Sequence, residues 1–220
     1  MATTTLPKIA PRVEYPESDG EPMAETDLHR DEMAALIVTL QDRYRDALDV
    51  YVAGNLFIYY AEDDPDARFA PDVFVVFGVP KRQRRIYRLW EEKRAPAVVI
   101  EVTSRKTWLE DAGNKKILCA RLGVAEYFTH DPADEYLRPP LQGFRLEGSD
   151  YRPIPSDVDG ALVSEALGLK LQLETGRLRL IDPASGVRLL RPEEAMQAHR
   201  EAEAELQRLR AELDRLRKNA

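Results

Sequence analysis

Apolar side chains recur at helical spacing at Met33, Leu36, Ile37 and Leu40, behind a capping-box-like start at Asp27, and predict an amphipathic helix ending near Tyr44. The period then changes. VYVAGNLFIYY (50–60) is aromatic and β-branched and predicts a strand interrupted by a Gly-Asn turn or bulge, and AEDDPDARFAP (61–71) predicts a loop. PDVFVVFGV (71–79) predicts a second strand, and AVVIEVT (97–103) is the clearest strand in the chain. DAGNKKILCARL (111–122) predicts a helix with Ile117, Leu118 and Leu122 on one side and Gly123 as its C-terminal cap. VAEYFTHD (124–131) is a further strand ending at Pro132. A helix crossing between two apolar strands predicts a right-handed β-α-β unit in an α/β (α+β) domain. LQGFRL, KLQLE, LRLID and VRLL, spread over 133–190, predict added β-hairpins.

Beyond Arg191 the pattern changes again. RPEEAMQAHREAEAELQRLRAELDRLRKNA has no glycine, a proline at a helix-start position, and apolar residues at Ala195, Ala202, Leu206, Leu209, Leu213 and Leu216. This three-four spacing predicts a C-terminal helix that is either solvated alone or paired as a coiled-coil-like homodimer. Three regions follow: a mobile N-terminal arm over 1–28, one folded domain over 29–190, and the charged helix over 191–220.

Composition narrows the chemistry. At 220 residues and 44% hydrophobic, the chain supports one ordinary domain plus an appendage. Its single cysteine excludes a disulfide framework, and its three scattered histidines assemble no zinc motif. No apolar run reaches membrane-span length and no secretion signal opens the chain, so a soluble, cytoplasmic protein without membrane contact is expected. A net charge of −7 argues against non-specific coating of nucleic acid, yet 81–94 carries seven basic residues against two acids. That segment, read as a hairpin or loop, is a candidate for phosphate contact, with Tyr87 and Trp90 either stacking on bases or packing the hairpin.

Glu101 is the most informative residue. It stands among Val98, Val99, Ile100 and Val102, where an uncompensated carboxylate costs several kcal/mol as an order of magnitude. Asp72 opens the preceding strand directly after Pro71. Carboxylates on adjacent strands can converge on one hard divalent cation, leaving room for water and a substrate phosphate. Taken singly each has a plainer reading: Asp72 as a turn cap, Glu101 as partner of an arginine such as Arg121, Lys115 and Lys116 as a solvated helix face.

The joint order PDVFVV, PAVVIEVTS, DAGNKK and GVAEYFTHDP resembles the Uma-two family of restriction-endonuclease-like proteins, within the PD-(D/E)XK nuclease superfamily, over about Asp19 to Ala195. The resemblance implies a mixed sheet flanked by helices. It places Asp72 and Glu101 as metal ligands for Mg²⁺ or Mn²⁺ and Lys115 as the catalytic lysine, with DNA as partner. The superfamily's lysine two residues after the glutamate is replaced here by Thr103, and Lys115 on the following helix takes its place. Asp111 either holds Lys115 or caps its helix, and Ser104 either touches phosphate or ends the strand. Glu32 is a candidate third carboxylate. His29 matches a common family histidine of no clear role, and His130 reads as a half-exposed strand-end residue.

Two functions remain open at this point. One is a metal-dependent DNA endonuclease, its tail bringing two copies together. The other is a catalytically inactive interaction protein on a nuclease scaffold, tethered through its C-terminal helix.

Overall fold

Alternation of side chains across the strands decides the architecture. The computed structural model describes residues 13–18, 20 and 26–218. In chain order its first elements are α1 (Asp27–Arg43), β1 (Val50–Ala53), β2 (Ile58–Tyr59), β3 (Arg68–Phe69), β4 (Val73–Phe77), β5 (Tyr87–Arg88) and α2 (Leu89–Glu92). There follow β6 (Val98–Val102), α3 (Trp108–Ala112), α4 (Asn114–Arg121), β7 (Glu126–His130), β8 (Leu141–Glu147) and β9 (Asp150–Pro153). The chain closes with β10 (Leu162–Ser164), β11 (Leu169–Glu174), β12 (Arg177–Ile181) and α5 (Pro192–Lys218).

A six-stranded mixed sheet runs β1-β4-β6-β7-β8-β9, with β6 and β7 parallel and the other neighbours antiparallel. Its centre is covered on both faces, so β6 and β7 are buried throughout and read as continuous apolar runs. On one face Val73, Val98, Ile100 and Val102 pack with Leu36 and Leu40 of α1 and with Leu169 and Leu178 of the three-stranded sheet β10-β11-β12. On the other, Phe74, Val76, Val99 and Tyr127 pack with Leu118, Cys119 and Leu122 around α4.

The expected 111–122 helix is two short helices. It begins earlier, at Trp108, and breaks at Gly113, whose backbone (φ −116, ψ −99) leaves the helical region. Tyr127 Oη donates to the Asp111 carbonyl at 2.8 Å, a long-range tie that fixes the first piece independently of the second. Gly123 ends α4 in the left-handed region (φ +79), as its position predicts.

The 81–94 segment also differs from a simple hairpin, forming β5 and α2. Most of its cations are engaged within the chain. Arg84 donates to both Glu92 oxygens (2.7 and 3.0 Å) and lies 4.2 Å over the Tyr51 ring. Lys81 donates to the Tyr44 and Arg45 carbonyls at 2.9 Å each. Tyr87 is fully buried, and Trp90 packs at 5.3 Å on Tyr15, so both aromatics serve packing. Tyr15 also meets Tyr59 edge-on at 5.0 Å, and Tyr59 Oη donates to the Pro16 carbonyl at 2.6 Å. Residues 13–18 of the expected mobile arm are therefore seated on the domain. Its other stretches, 1–12, 19 and 21–25, lie outside the described residues.

Candidate active site

Parity along β6 sets the site. Val98, Ile100 and Val102 belong to the α1 face and Val99 to the α4 face, so Glu101 follows Val99 toward α4. Strand β4 runs antiparallel beside β6 with Val73 opposite Ile100, which brings Asp72 to the C-terminal end of β6. There the two acids interlock through backbone. Asp72 N–H donates to Glu101 Oε2 at 3.2 Å, and Val102 N–H donates to Asp72 Oδ2 at 2.8 Å. From α1, His29 Nε2 stands 3.2 Å from the same Asp72 Oδ2.

Lys115, in the first turn of α4, reaches down to Glu101 Oε2 at 3.1 Å and to Asp111 Oδ1 at 3.3 Å. Asp111 and Lys115 are four residues apart, the spacing at which side chains meet on a helix, and the pair holds across the break at Gly113. Asp111 is buried inside α3, so the helix-cap reading does not hold and it braces Lys115.

Three carboxylates thus face one ammonium in a desolvated place. Burial pushes the Glu101 carboxyl up to about 8; Lys115 pulls it back, and the charges of Asp72 and Asp111 push it further. Burial likewise raises Asp111. Burial alone would lower the Lys115 ammonium, but Glu101, Asp111 and Asp72 together hold it above its ordinary value. The site is short of positive charge.

That shortage bears on whether a divalent metal fits. Glu101 Oε1 is buried and has no hydrogen-bond partner among the described residues, an acceptor that a cation would satisfy. Among the described residues no three His, Cys, Asp or Glu side chains form a cage by themselves. The donor set is therefore that of Mg²⁺ or Mn²⁺ on one or two carboxylates, completed by water and substrate oxygens, and the residues fit it.

Gly54 guards the position of Asp72. A Cβ built there would fall 1.9 Å from the Asp72 carbonyl oxygen and 2.6 Å from Ile37 Cδ1. Gly54→Ala is expected to shift the Asp72 backbone, at a stability cost of about 1–3 kcal/mol. Thermal unfolding with and without Mn²⁺ checks this, and a variant matching the wild type in both would show the contact to be yielding.

Asp72, Glu101, Lys115 and Asp111 come together as one cluster. Other sequence candidates do not join it. Ser104 ends the strand, its hydroxyl 3.1 Å from Thr107 Oγ1. Glu32 lies on the α1 face, where Arg191 Nη2 and Nη1 donate to its two oxygens at 2.8 and 3.2 Å, so it is no third carboxylate of this site. His130 is fully buried, 3.6 Å from Glu32, rather than half-exposed. Glu101 is paired by Lys115, not by an arginine. The contact that sequence reasoning missed is His29 with Asp72, across 43 residues, for which nothing but the resemblance offered a signal.

The Uma2 family, described as "Putative restriction endonuclease", matches residues 4–178. Among solved structures, one titled a "putative nuclease belonging to DUF820" from Anabaena variabilis is similar at 13% identity and a TM-score of 0.49, covering 69% of this chain and 81% of that one. No curated protein matches the chain.

Proposed function

The chain belongs to the Uma2 family, and from that premise we propose that it is a DNA endonuclease dependent on Mg²⁺ or Mn²⁺, with Asp72 and Glu101 as metal ligands and Lys115 as the catalytic lysine. The observation that supports this most is the meeting of Asp72, Glu101 and Lys115 at one strand end, from positions 43 residues apart in sequence. A bound divalent cation would supply Lewis-acid polarisation of the scissile phosphate and a more acidic water. The chain's own residues do the rest. Asp72 is fixed by the Val102 amide and by His29, so its carboxylate does not swing. Lys115 is held as ammonium by its acidic neighbours, which suits balancing charge on a phosphate rather than accepting a proton from water. Asp111 aims it.

A groove of about 650 Å³ beside the Asp72 backbone is the surface proposed to contact nucleic acid, although none of Asp72, Glu101 and Lys115 lines it. It is lined by Ile37 and Gln41 of α1, by Tyr44 at its C-terminal cap, by β1 and by Lys81 and Arg82, and it reaches Gly54, which lies against the Asp72 carbonyl.

Lys115→Met is expected to slow single-turnover cleavage of plasmid DNA by about two orders of magnitude. Cleavage at the wild-type rate would remove Lys115 from the chemistry. The second reading, a silent scaffold, is favoured by one observation: Lys115 already neutralises part of the acidic cluster that a metal would occupy. Thermal unfolding separates the two. A working site gains stability from Mn²⁺ and loses that gain in Asp72→Asn, whereas a scaffold gains nothing in either protein.

A further inference from the structure

Every residue of α5 from Ala195 to Lys218 is exposed, although the helix runs to Lys218 without a break. Only its base is held. Arg179 donates to both Glu194 oxygens (2.6 and 2.8 Å), and Glu194 accepts the Arg191 N–H at 2.9 Å, in the manner of a capping box. Leu206, Leu209, Leu213 and Leu216 are between 48% and 62% exposed and lie on one stripe at three-four spacing. A helix solvated all round gains nothing from its leucines, and isolated helices depend on packing of an apolar face.

The charges flanking that stripe say what covers it. With Leu206 and Leu213 at heptad position a and Leu209 and Leu216 at d, position g holds Glu205 and Glu212 and position e holds Arg210 and Arg217. In a parallel, in-register pair each g residue meets the e residue five positions on in its partner. Glu205 then faces Arg210, and Glu212 faces Arg217, on both sides of the seam. An antiparallel pair that buries the same four leucines sets Glu205 against Glu212 and Arg210 against its own copy.

We propose that α5 pairs with the α5 of a second copy of this chain in a parallel, in-register, two-stranded coiled coil. Both domains then leave the same end of the coil, where two copies of the acidic site can act on one nucleic acid. An antiparallel coil over the same leucines would instead hold the two helix bases at Pro192 more than a helix length apart, about 57 Å at about 1.5 Å of rise per residue.

Light scattering on the full chain at tens of micromolar is the first test. The expected mass is twice 25.1 kDa, falling to the monomer in Leu209→Lys/Leu213→Lys with the unfolding of the domain unchanged. A monomeric or trimeric wild type overturns the proposal. Orientation is read by oxidative cross-linking. Leu216→Cys alone is expected to give a covalent dimer, while cross-linking between separate Leu206→Cys and Leu216→Cys chains in preference to it overturns the parallel arrangement. Register is read from charge. Glu205→Arg/Glu212→Arg should weaken the dimer by about tenfold, and adding Arg210→Glu/Arg217→Glu should restore it. Failure of that restoration overturns the register.

Discussion

Replacing Glu101 with glutamine is expected to reduce metal-dependent cleavage by at least about three orders of magnitude, a loss of roughly 4 kcal/mol of transition-state stabilisation, while the protein stays folded. The two halves of this expectation have separate physical grounds. Activity falls because an amide is a poor ligand for a hard dication, and one of the two proposed ligand carboxylates is gone. The fold survives because glutamine keeps the shape of a fully buried side chain and removes a charge whose burial the site compensates incompletely. Lys115 keeps Asp111 as its ion-pair partner. Circular dichroism establishes the folded state, and single-turnover cleavage in Mn²⁺ measures the rate. A folded Glu101→Gln that cuts at the wild-type rate would remove the carboxylate from the reaction.

The second large effect lies on the opposite face and concerns stability. Glu32→Ala is expected to cost about 2–3 kcal/mol, because it removes one of the two carboxylates on the buried Arg191 guanidinium, Glu193 staying on its Nε at 2.9 Å. Glu32 is completely buried, and it also accepts the Leu178 N–H at 3.3 Å, so one side chain joins α1, β12 and the base of α5. Burial alone would raise its carboxyl, but the His130 imidazole 3.6 Å away and the hydrogen-bonded Arg191 guanidinium override this and hold it at about 2. An acid lowered from 4.5 to about 2 contributes stability that is complete above pH 4.5 and is lost as pH falls toward 2. The wild type should therefore shed up to about 3 kcal/mol from this group across that window, and Glu32→Ala should lack that part of the slope. Urea unfolding at pH 7 and at pH 3 reads both quantities. A penalty below about 1 kcal/mol at pH 7 would show that the clasp does not hold the domain together.

How far the sequence revealed all this varies from residue to residue. β6 was legible because a strand covered on both faces has to be an apolar run, and Glu101 was legible because it interrupts that run. Asp72 was legible less directly, through its position after Pro71. The site could not be closed from spacing alone, since Lys115 looks like any solvated helix lysine until its partners are known. Resemblance to a family supplied it. The break at Gly113 was hidden because a single glycine within a helical pattern is usually tolerated, and the Tyr127 contact that anchors Asp111 is long-range. His29 and Glu32 show the limit most clearly. They lie three residues apart on one helix, yet one meets Asp72 and the other Arg191, partners 43 and 159 residues away. The internal partners of the basic stretch are hidden for the same reason: Arg84 pairs with Glu92 and stacks on Tyr51 within the domain.

The central claim is that Asp72 and Glu101 hold a divalent cation beside Lys115. Calorimetric titration of Mn²⁺ into the full chain bearing a non-cleavable DNA duplex tests it most directly, with Glu101→Gln titrated alongside. The account predicts saturable binding in the wild type that disappears in the variant. Binding of equal strength in both folded proteins, or in neither, would contradict it.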